Sequence, residues 1–323
     1  MRGLILSSAL ALAGCASMAA PGGQRFDASA LSEQPSMLVA TTRKPVPGLA
    51  KPWFGTDRGR LTVARARLKA PAEGRFSLAS VGLDSWSVEG VEPAVGDVGE
   101  LITSGPRDVL VYVHGFKTTF ETAALDAIKL SDGIRFRGET MVFSWPSKAG
   151  FFDYGYDRES AMWSRDAFER VLDGLMTSPN VGRVHIVAHS MGTGLTIETL
   201  RQLHARYGES AAGKIGAVIL ASPDIDMNVF ASSVERIGSL AQRITVISAT
   251  NDRALALSGK LAGGITRVGA AEKAELERLG LRVIDASSEG WGIINHDLFL
   301  SSTQVRQVIR NAIDGRPGLA DAS

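Results

Sequence analysis

Cysteine is nearly absent from this chain: one residue, Cys15, in 323. That excludes a disulfide framework within the chain and any metal site built on several thiolates. Charge of one sign is also lacking, since 35 Lys and Arg stand against 34 Asp and Glu. The balance gives no electrostatic case for a nucleic-acid partner, which needs a basic surface, and none is expected. No apolar run reaches the ~18–20 residues that a membrane-spanning helix requires. The sequence holds no HExxH, no His/Cys cluster, no acids at metal-ligand spacing and no GxxxxGK[ST] phosphate loop. Neither a metal nor a cofactor is therefore expected. Hydrophobic residues at 45% and charged residues at 21% are ordinary globular values that rule out wholesale disorder. What remains is a folded chain long enough for one or two domains.

What is there begins with a targeting pattern. Residues 1–20 read MRGLILSSALALAGCASMAA: a positive Arg2, an apolar stretch from Gly3 to Ala13, then small residues. This is the layout of a secretory signal. The run Leu12-Ala13-Gly14-Cys15 resembles the lipobox of bacterial lipoproteins, in which the chain is cut before the cysteine and the thiol is acylated. A signal peptide over 1–14, lipidation of Cys15 and a flexible tether over 15–35 follow as expectations. They imply an exported protein of the cell envelope, held on a membrane by its lipid and facing the periplasm. Position 16 is Ala rather than Asp, which in Gram-negative lipoproteins argues against retention in the inner membrane. A plain signal peptide cut near Ala20, or an uncleaved anchor, is the alternative.

Between residues 36 and 105 short strand-like pieces (Ser36 to Thr41, Arg60 to Leu68, Ser85 to Val88) are broken by Pro and Gly. They read as an N-terminal β-rich extension. After Pro106 the rhythm changes. Apolar runs such as DVLVYVH, ETMVFSW, GRVHIVAH, KIGAVILAS, RITVISAT and LRVIDAS alternate with helical stretches. Among these, YDRESAMWSRDAFERVLDGLM reads as one helix, and AAEKAELERLG as an amphipathic surface helix ending at Gly280. Continuous Val/Ile runs separated by helices predict an α/β domain over 106–315, with a mostly parallel sheet covered by helices on both faces. Residues 316–323 are a tail.

The sharpest signal is Ala188-His189-Ser190-Met191-Gly192, placed between the strand GRVHIVA and a helix. A serine on a tight strand-to-helix turn has a strained backbone, and bulky neighbours two residues away would collide with it. Ala188 and Gly192 are both small, although G-x-S-x-G would place glycine at 188. The bland alternative is that Ser190 merely caps the helix. A serine nucleophile needs a base, and the base an orienting acid. On this kind of strand–turn–helix scaffold the order is Ser, acid, His. Of five histidines only His204 and His296 follow Ser190. His204 falls within the helix just after it, so His296 is the candidate base. Asp252 and Asp224 both follow strands, where catalytic groups of open α/β sheets gather. Asp252 is favoured because its strand stands nearest before His296; Asp224 is the alternative acid, with a turn or helix cap as its bland reading. The amides of Met191 and, in His114-Gly115-Phe116-Lys117, of Phe116 are candidates for an oxyanion hole. His114 and His189 read as structural residues bracketing the site.

Taken together, HGF with TTF and ALD, FSWPS, Tyr154 to Ser160, AHSMG, ASPDID, DRAL and a late HD resemble a bacterial α/β-hydrolase family of unknown function, loosely esterase- or lipase-like. ATTRKP and FGTDRGR extend the resemblance over roughly 36–315. It implies an α/β-hydrolase fold, Ser190 as nucleophile, Asp252 as acid, His296 as base and no cofactor. Lys117, where a small polar residue is expected, departs from the pattern. The aromatic stretch from Trp145 to Tyr156 either lines an acyl pocket or packs its loop onto the body. The expected activity is hydrolysis of carboxylic esters or lipids through an acyl-enzyme, with a small-molecule or lipid ester as substrate. Amide, peptide or thioester cleavage by the same triad is the alternative, as is an envelope lipoprotein that keeps the fold without catalysis.

Overall fold

The structure, a computed structural model, describes residues 35–48, 51–71, 85–261, 264–288 and 298–316. Cys15 and the segment 1–34 lie outside the described residues, as does His296. Pro35–Ser323 forms one compact unit.

Nine strands build one sheet: β1 (Ser36–Pro45), β2 (Phe54–Lys69), β3 (Ser87–Pro93), β4 (Arg107–Val113), β5 (Glu139–Ser144), β6 (Val181–His189), β7 (Ile215–Ala221), β8 (Ile244–Ser248) and β9 (Arg282–Asp285). Their order is β3-β2-β1-β5-β4-β6-β7-β8-β9. Strands β1 and β4 to β9 run parallel, and β2 is antiparallel to both β1 and β3. The N-terminal extension is therefore one wing of the same sheet. Its strands run beyond the expected pieces; β1 continues through Thr42 and Arg43 to Pro45.

The helices are α1 (Phe120–Gly133), α2 (Tyr154–Trp163), α3 (Arg165–Thr177), α4 (Met191–Tyr207), α5 (Ala211–Lys214), α6 (Met227–Val234), α7 (Arg253–Leu261), α8 (Lys273–Glu277), α9 (Leu298–Ser301) and α10 (Thr303–Ile313). They cover both faces, and strand alternation decides which residue meets which layer. Along β4, Val109, Val111 and Val113 pack with Phe168, Leu172 and Leu195 of α3 and α4. Leu110 and Tyr112 pack on the opposite face with Phe120, Ala124 and Ile309 of α1 and α10. All five β4 residues are essentially inaccessible to solvent, which is why the strand reads as an unbroken apolar run.

Two helix expectations are corrected. The stretch from Tyr154 to Thr177 is two helices, broken at Ser164. The Ser164 hydroxyl is 2.8 Å from the Ser160 carbonyl and 2.8 Å from Thr42 Oγ1 of β1, so a tertiary contact fixes the break. The helix expected over Ala270 to Gly280 shrinks to Lys273–Glu277. A separate turn, Val268–Ala270, takes up its start and is pinned where Val268 and Gly269 donate to the carbonyls of Ile225 and Pro223 and Gly269 accepts from Ala249. Ala271 and Glu272 then run extended into the short helix. Gly280, at φ 76°, follows that helix rather than ending it.

Candidate active site

Parallel strands deliver their carboxyl ends to one edge of the sheet, where ligands of open α/β sheets bind. Four of the five non-glycine residues with positive φ among the described residues lie on that edge: Lys117, Ala149, Ser190 and Ser222. Clustered backbone strain of this kind marks a functional region.

Ser190 joins β6 to α4 at φ 50°, ψ −120°. Its amide donates to the Ala221 carbonyl at 2.9 Å. Its carbonyl receives the Thr193 amide (3.1 Å), the Asp224 amide (3.3 Å) and the Thr193 hydroxyl (2.5 Å). The Ser190 hydroxyl makes no capping bond to α4, so the capping alternative does not hold. Thr193 takes over the stitching of the turn and leaves the serine side chain out of it. A side chain at Gly192 would collide with the carbonyl oxygens of Val113 and His114, and one at Gly115 would bring its Cβ to 2.9 Å from Ser190 Cβ. The elbow thus requires Gly192, and the loop after β4 lies directly against the serine through Gly115.

That loop carries Phe116, and Met191 is the first residue of α4, with its amide at the helix N-terminus. The loop is held from below by a buried polar network that the sequence reading missed. Arg43 of β1, 1% exposed, donates through Nη2 to the Thr118 carbonyl (2.6 Å), through Nη1 to the carbonyls of Gly55 and Ser147 (3.2 Å each) and through Nε to Ser144 Oγ (2.8 Å). Asp157 of α2, fully buried, accepts the Ser147 hydroxyl (2.5 Å) and the Lys117 amide (3.3 Å) on Oδ2, and the Lys148 amide (2.8 Å) on Oδ1. Ser147 Oγ also receives the Thr118 amide at 3.2 Å. Burial pushes the Arg43 guanidinium down to about 10, the nearby Asp157 carboxylate opposing the shift, so it stays charged at neutral pH. Burial also holds Asp157 above the usual carboxylate range, against the pull of its three donors and of Arg43. The outward sign of this network is Lys117 at φ 59°: the chain there is bent into a conformation that suits Gly or Asn better than Lys.

His114 is fully buried beneath the loop and stacks on Trp145, ring centroids 4.5 Å apart. Its Nδ1 is 2.8 Å from the Gly115 carbonyl and its Nε2 3.0 Å from that of Trp145. Both carbonyls favour a protonated ring, but burial first and the Arg43 charge second outweigh them and hold it at about 3. A neutral, buried imidazole is structural, as expected for this position. Trp145 likewise belongs to the body: it is fully buried, and its Nε1 donates to the His114 carbonyl at 2.9 Å.

The two candidate acids differ sharply. Asp224 follows β7, with its side chain 3% exposed and both oxygens engaged. Oδ1 is 3.0 Å from Arg267 Nε and accepts Ser258 Oγ (2.6 Å); Oδ2 accepts the Tyr154 hydroxyl (2.8 Å). Tyr154 in turn meets the Phe116 ring edge-on at 5.4 Å, a link that the aromatic run alone did not single out. Asp252 follows β8, is 1% exposed, and holds the amides of Ala254 and Leu255 on one oxygen, Oδ1. His204 lies in α4 beside Glu209 (3.9 Å), roughly 20 Å along the helix from Ser190 at 1.5 Å per residue. A cavity of about 120 Å³ opens beside Met191, where apolar Ala161, Met162, Ile197, Ile225 and Val229 share the lining with Tyr154 and with the charged Arg158, Glu198, Asp224, Asp226 and Arg267.

A family model described as "Alpha/beta hydrolase of unknown function (DUF900)" matches residues 96–312, two-thirds of the chain. The chain belongs to this α/β-hydrolase family. Its mostly parallel, helix-covered sheet is that of the fold, with β1 to β3 forming one wing. The uncharacterized protein alr1448 of Nostoc sp. is 34% identical over 61 residues, 19% of this chain and 16% of that protein's length. Among solved structures, this α/β-hydrolase is similar to an esterase of Pyrobaculum calidifontis (12% identity, 89% of this chain and 88% of that one, TM-score 0.38). It is also similar to lipase B of Aspergillus fumigatus (14%, 67% and 55%, TM-score 0.44).

Two expectations follow. Asp157→Asn cannot accept the Ser147 hydroxyl and both amides together, so it should loosen the loop that carries Phe116. With whichever substrate the hydrolase turns over best, kcat should fall by roughly tenfold to a hundredfold while KM changes little. A fall in stability with kcat preserved would make Asp157 a mere fold pin.

The second concerns His114 and pH. Its folded value, about 3, lies below the ordinary 6.5; the unfolded chain therefore binds the extra proton between those values. Stability from this group is complete above about pH 6.5 and drains away as pH falls, by up to about 1.4 kcal/mol per pH unit. Asp157 titrates with the opposite sign. In a folded His114→Gln variant, urea midpoints between about pH 7 and about pH 4.5 should decline less steeply than in the wild type. Equal slopes would contradict the neutral, buried ring.

Proposed function

We propose that this α/β-hydrolase is a serine hydrolase that cleaves carboxylic esters, lipids among them, through an acyl-enzyme on Ser190. The observation that carries the reading is the elbow. Ser190 is held in a strained conformation at the carboxyl edge of the sheet, its hydroxyl spared from capping α4, with Gly115 of the loop after β4 against it.

In this reading Ser190 Oγ attacks the ester carbonyl carbon while His296 takes the hydroxyl proton. The carbonyl oxygen becomes an oxyanion between the amides of Phe116 and Met191, a pair of donors each contributing about 2.7–4 kcal/mol by analogy with measured deletions. Collapse breaks the carbon–oxygen bond of the leaving alcohol, which departs with the proton from His296. Water then attacks the acyl-enzyme by the same route in reverse, returning the acid product and free Ser190. Asp252 orients His296. Asp224 is the weaker candidate for that task, because Arg267, Ser258 and Tyr154 already occupy both its oxygens. The cavity beside Met191 is the room for the acyl group.

A fluorophosphonate probe should add one covalent mass to Ser190, and Ser190→Ala should abolish both labelling and turnover without unfolding the chain. Labelling of another serine would sink the mechanism. Asp252→Asn should lose roughly 10⁴-fold in kcat, as in other triads that lose the acid. Asp224→Asn leaves the buried Arg267 unpaired and should cost about 3–5 kcal/mol of stability with a milder effect on kcat. The reverse ranking would exchange the two acids.

We also propose that Cys15 carries a lipid that ties the protein to an envelope membrane, on the strength of its Leu-Ala-Gly-Cys run. Cys15→Ser should then appear in the soluble fraction or remain unprocessed; a normally cleaved variant that still sediments with membranes would refute the anchor.

A further inference from the structure

The edge of the sheet opposite Ser190 holds a cavity of about 860 Å³ at the amino ends of β4 and β6. Six arginines line it: Arg107, Arg135, Arg137, Arg183, Arg310 and Arg316. Against them stand two carboxylates, Asp108 and Asp314. Neither neutralises the cluster. Asp314 is 3.8 Å from Arg310 Nε and 3.7 Å from Arg316 Nη2. Asp108 spends Oδ1 on the Arg183 amide (2.7 Å), and its Oδ2 lies 3.5 Å from His185 Nε2. The side chains of Arg135, Arg137 and Arg183 are exposed and form no hydrogen bond or ion pair with a described residue.

Such a concentration is unexpected in a chain whose formal net charge is +1. The C-terminal ends of α1 and α10 border the cavity and attract cations, but each helix end offers only about half a unit charge. Arg310 and Arg316 share Asp314, and Arg107 lies 3.6 Å from Glu139. The helix ends offer too little to balance the three guanidinia that remain, Arg135, Arg137 and Arg183. Arginines gathered around one concave space offer groups that match phosphate oxygens in charge and in bidentate geometry. We propose that this cavity is a binding site for a ligand carrying clustered phosphate groups, separate from the catalytic edge.

The topology adds a second observation. β1 runs parallel to β4, β5 and β6, so it starts at this same edge. Ser36, its first residue, is joined to the cavity rim by a chain of polar contacts. Arg65 Nη1 donates to Ser36 Oγ at 3.1 Å and lies 3.7 Å from Glu139, which is 3.6 Å from Arg107. The described part of the domain thus begins, at Pro35 and Ser36, on the arginine pole. Lipid phosphates are one source of the ligand to test, soluble phosphates the other.

The test uses the full chain with Cys15→Ser, so that no acyl group drives membrane association. Sodium pyrophosphate, followed by calorimetry and by the rise in melting temperature, probes soluble phosphate. Cosedimentation with phosphatidylcholine vesicles, with and without phosphatidylglycerol, probes lipid phosphate. Binding of pyrophosphate, or a requirement for phosphatidylglycerol, supports the site and names its source. The double variant Arg137→Ala/Arg183→Ala should weaken whichever binding occurs by roughly tenfold or more. Arg135→Gly, which suits the φ of 53° at that position, should weaken it in the same direction with the fold intact by circular dichroism. No binding of either probe by the parent chain, or binding unchanged in both variants, overturns the proposal.

Discussion

Ser190 lies at φ 50°, ψ −120°, a conformation that costs a non-glycine residue on the order of 1–3 kcal/mol. The surrounding backbone holds it there. Ala221 on the neighbouring strand receives its amide, while Thr193 and Asp224 donate to its carbonyl. Much of the sequence near the site is a consequence of that one bend. Position 192 must lack a side chain because the carbonyls of Val113 and His114 fill the space, and position 115 must lack one because Ser190 does. The strain is local, but the strands that impose it are far apart in sequence.

The second dependence is electrostatic. Arg43 and Asp157 are both buried, and they meet through Ser147, which accepts from Arg43 with its carbonyl and donates to Asp157 with its hydroxyl. A buried charge without partners costs several kcal/mol. Here the guanidinium is spread over carbonyls and a hydroxyl, and the carboxylate over two amides and a hydroxyl. Those same bonds fix the backbone at Lys117 and Thr118 after β4 and at Ser147 and Lys148 after β5. The charges are thus tied to the conformation of the loop that faces Ser190, and His114 beneath it is kept neutral by the same burial and by the Arg43 charge.

How much of this was legible in the sequence depends on the range of the interactions. The parallel sheet was, because each strand carries its own apolar run. The elbow was, because a strand, a serine flanked by small residues and a helix occupy one short stretch. The Arg43–Ser147–Asp157 network was not. It joins three segments, with Arg43 and Ser147 104 residues apart, and nothing in ATTRKP or WPS alone requires them to meet. The break at Ser164 was hidden for the same reason, since Thr42 fixes it across 122 residues. The preference for Asp252 over Asp224 rested on sequence order. The ion pair and two hydroxyl donors that engage Asp224 come from Arg267, Ser258 and Tyr154, none of them near it in sequence, and were not legible there.

The two edges of the sheet thus differ in chemistry: strained backbone around a serine at one, a cavity lined by six arginines at the other. The central claim is that the Gly115–Phe116 loop and the start of α4 form one receptor for a developing negative charge on a group attached to Ser190. A crystal structure of the organophosphonate adduct tests it most directly. The account predicts phosphorus bonded to Ser190 Oγ, with the phosphoryl oxygen about 2.7–3.1 Å from the amide nitrogens of both Phe116 and Met191. An adduct on another residue, or a phosphoryl oxygen turned away from both amides, would contradict it.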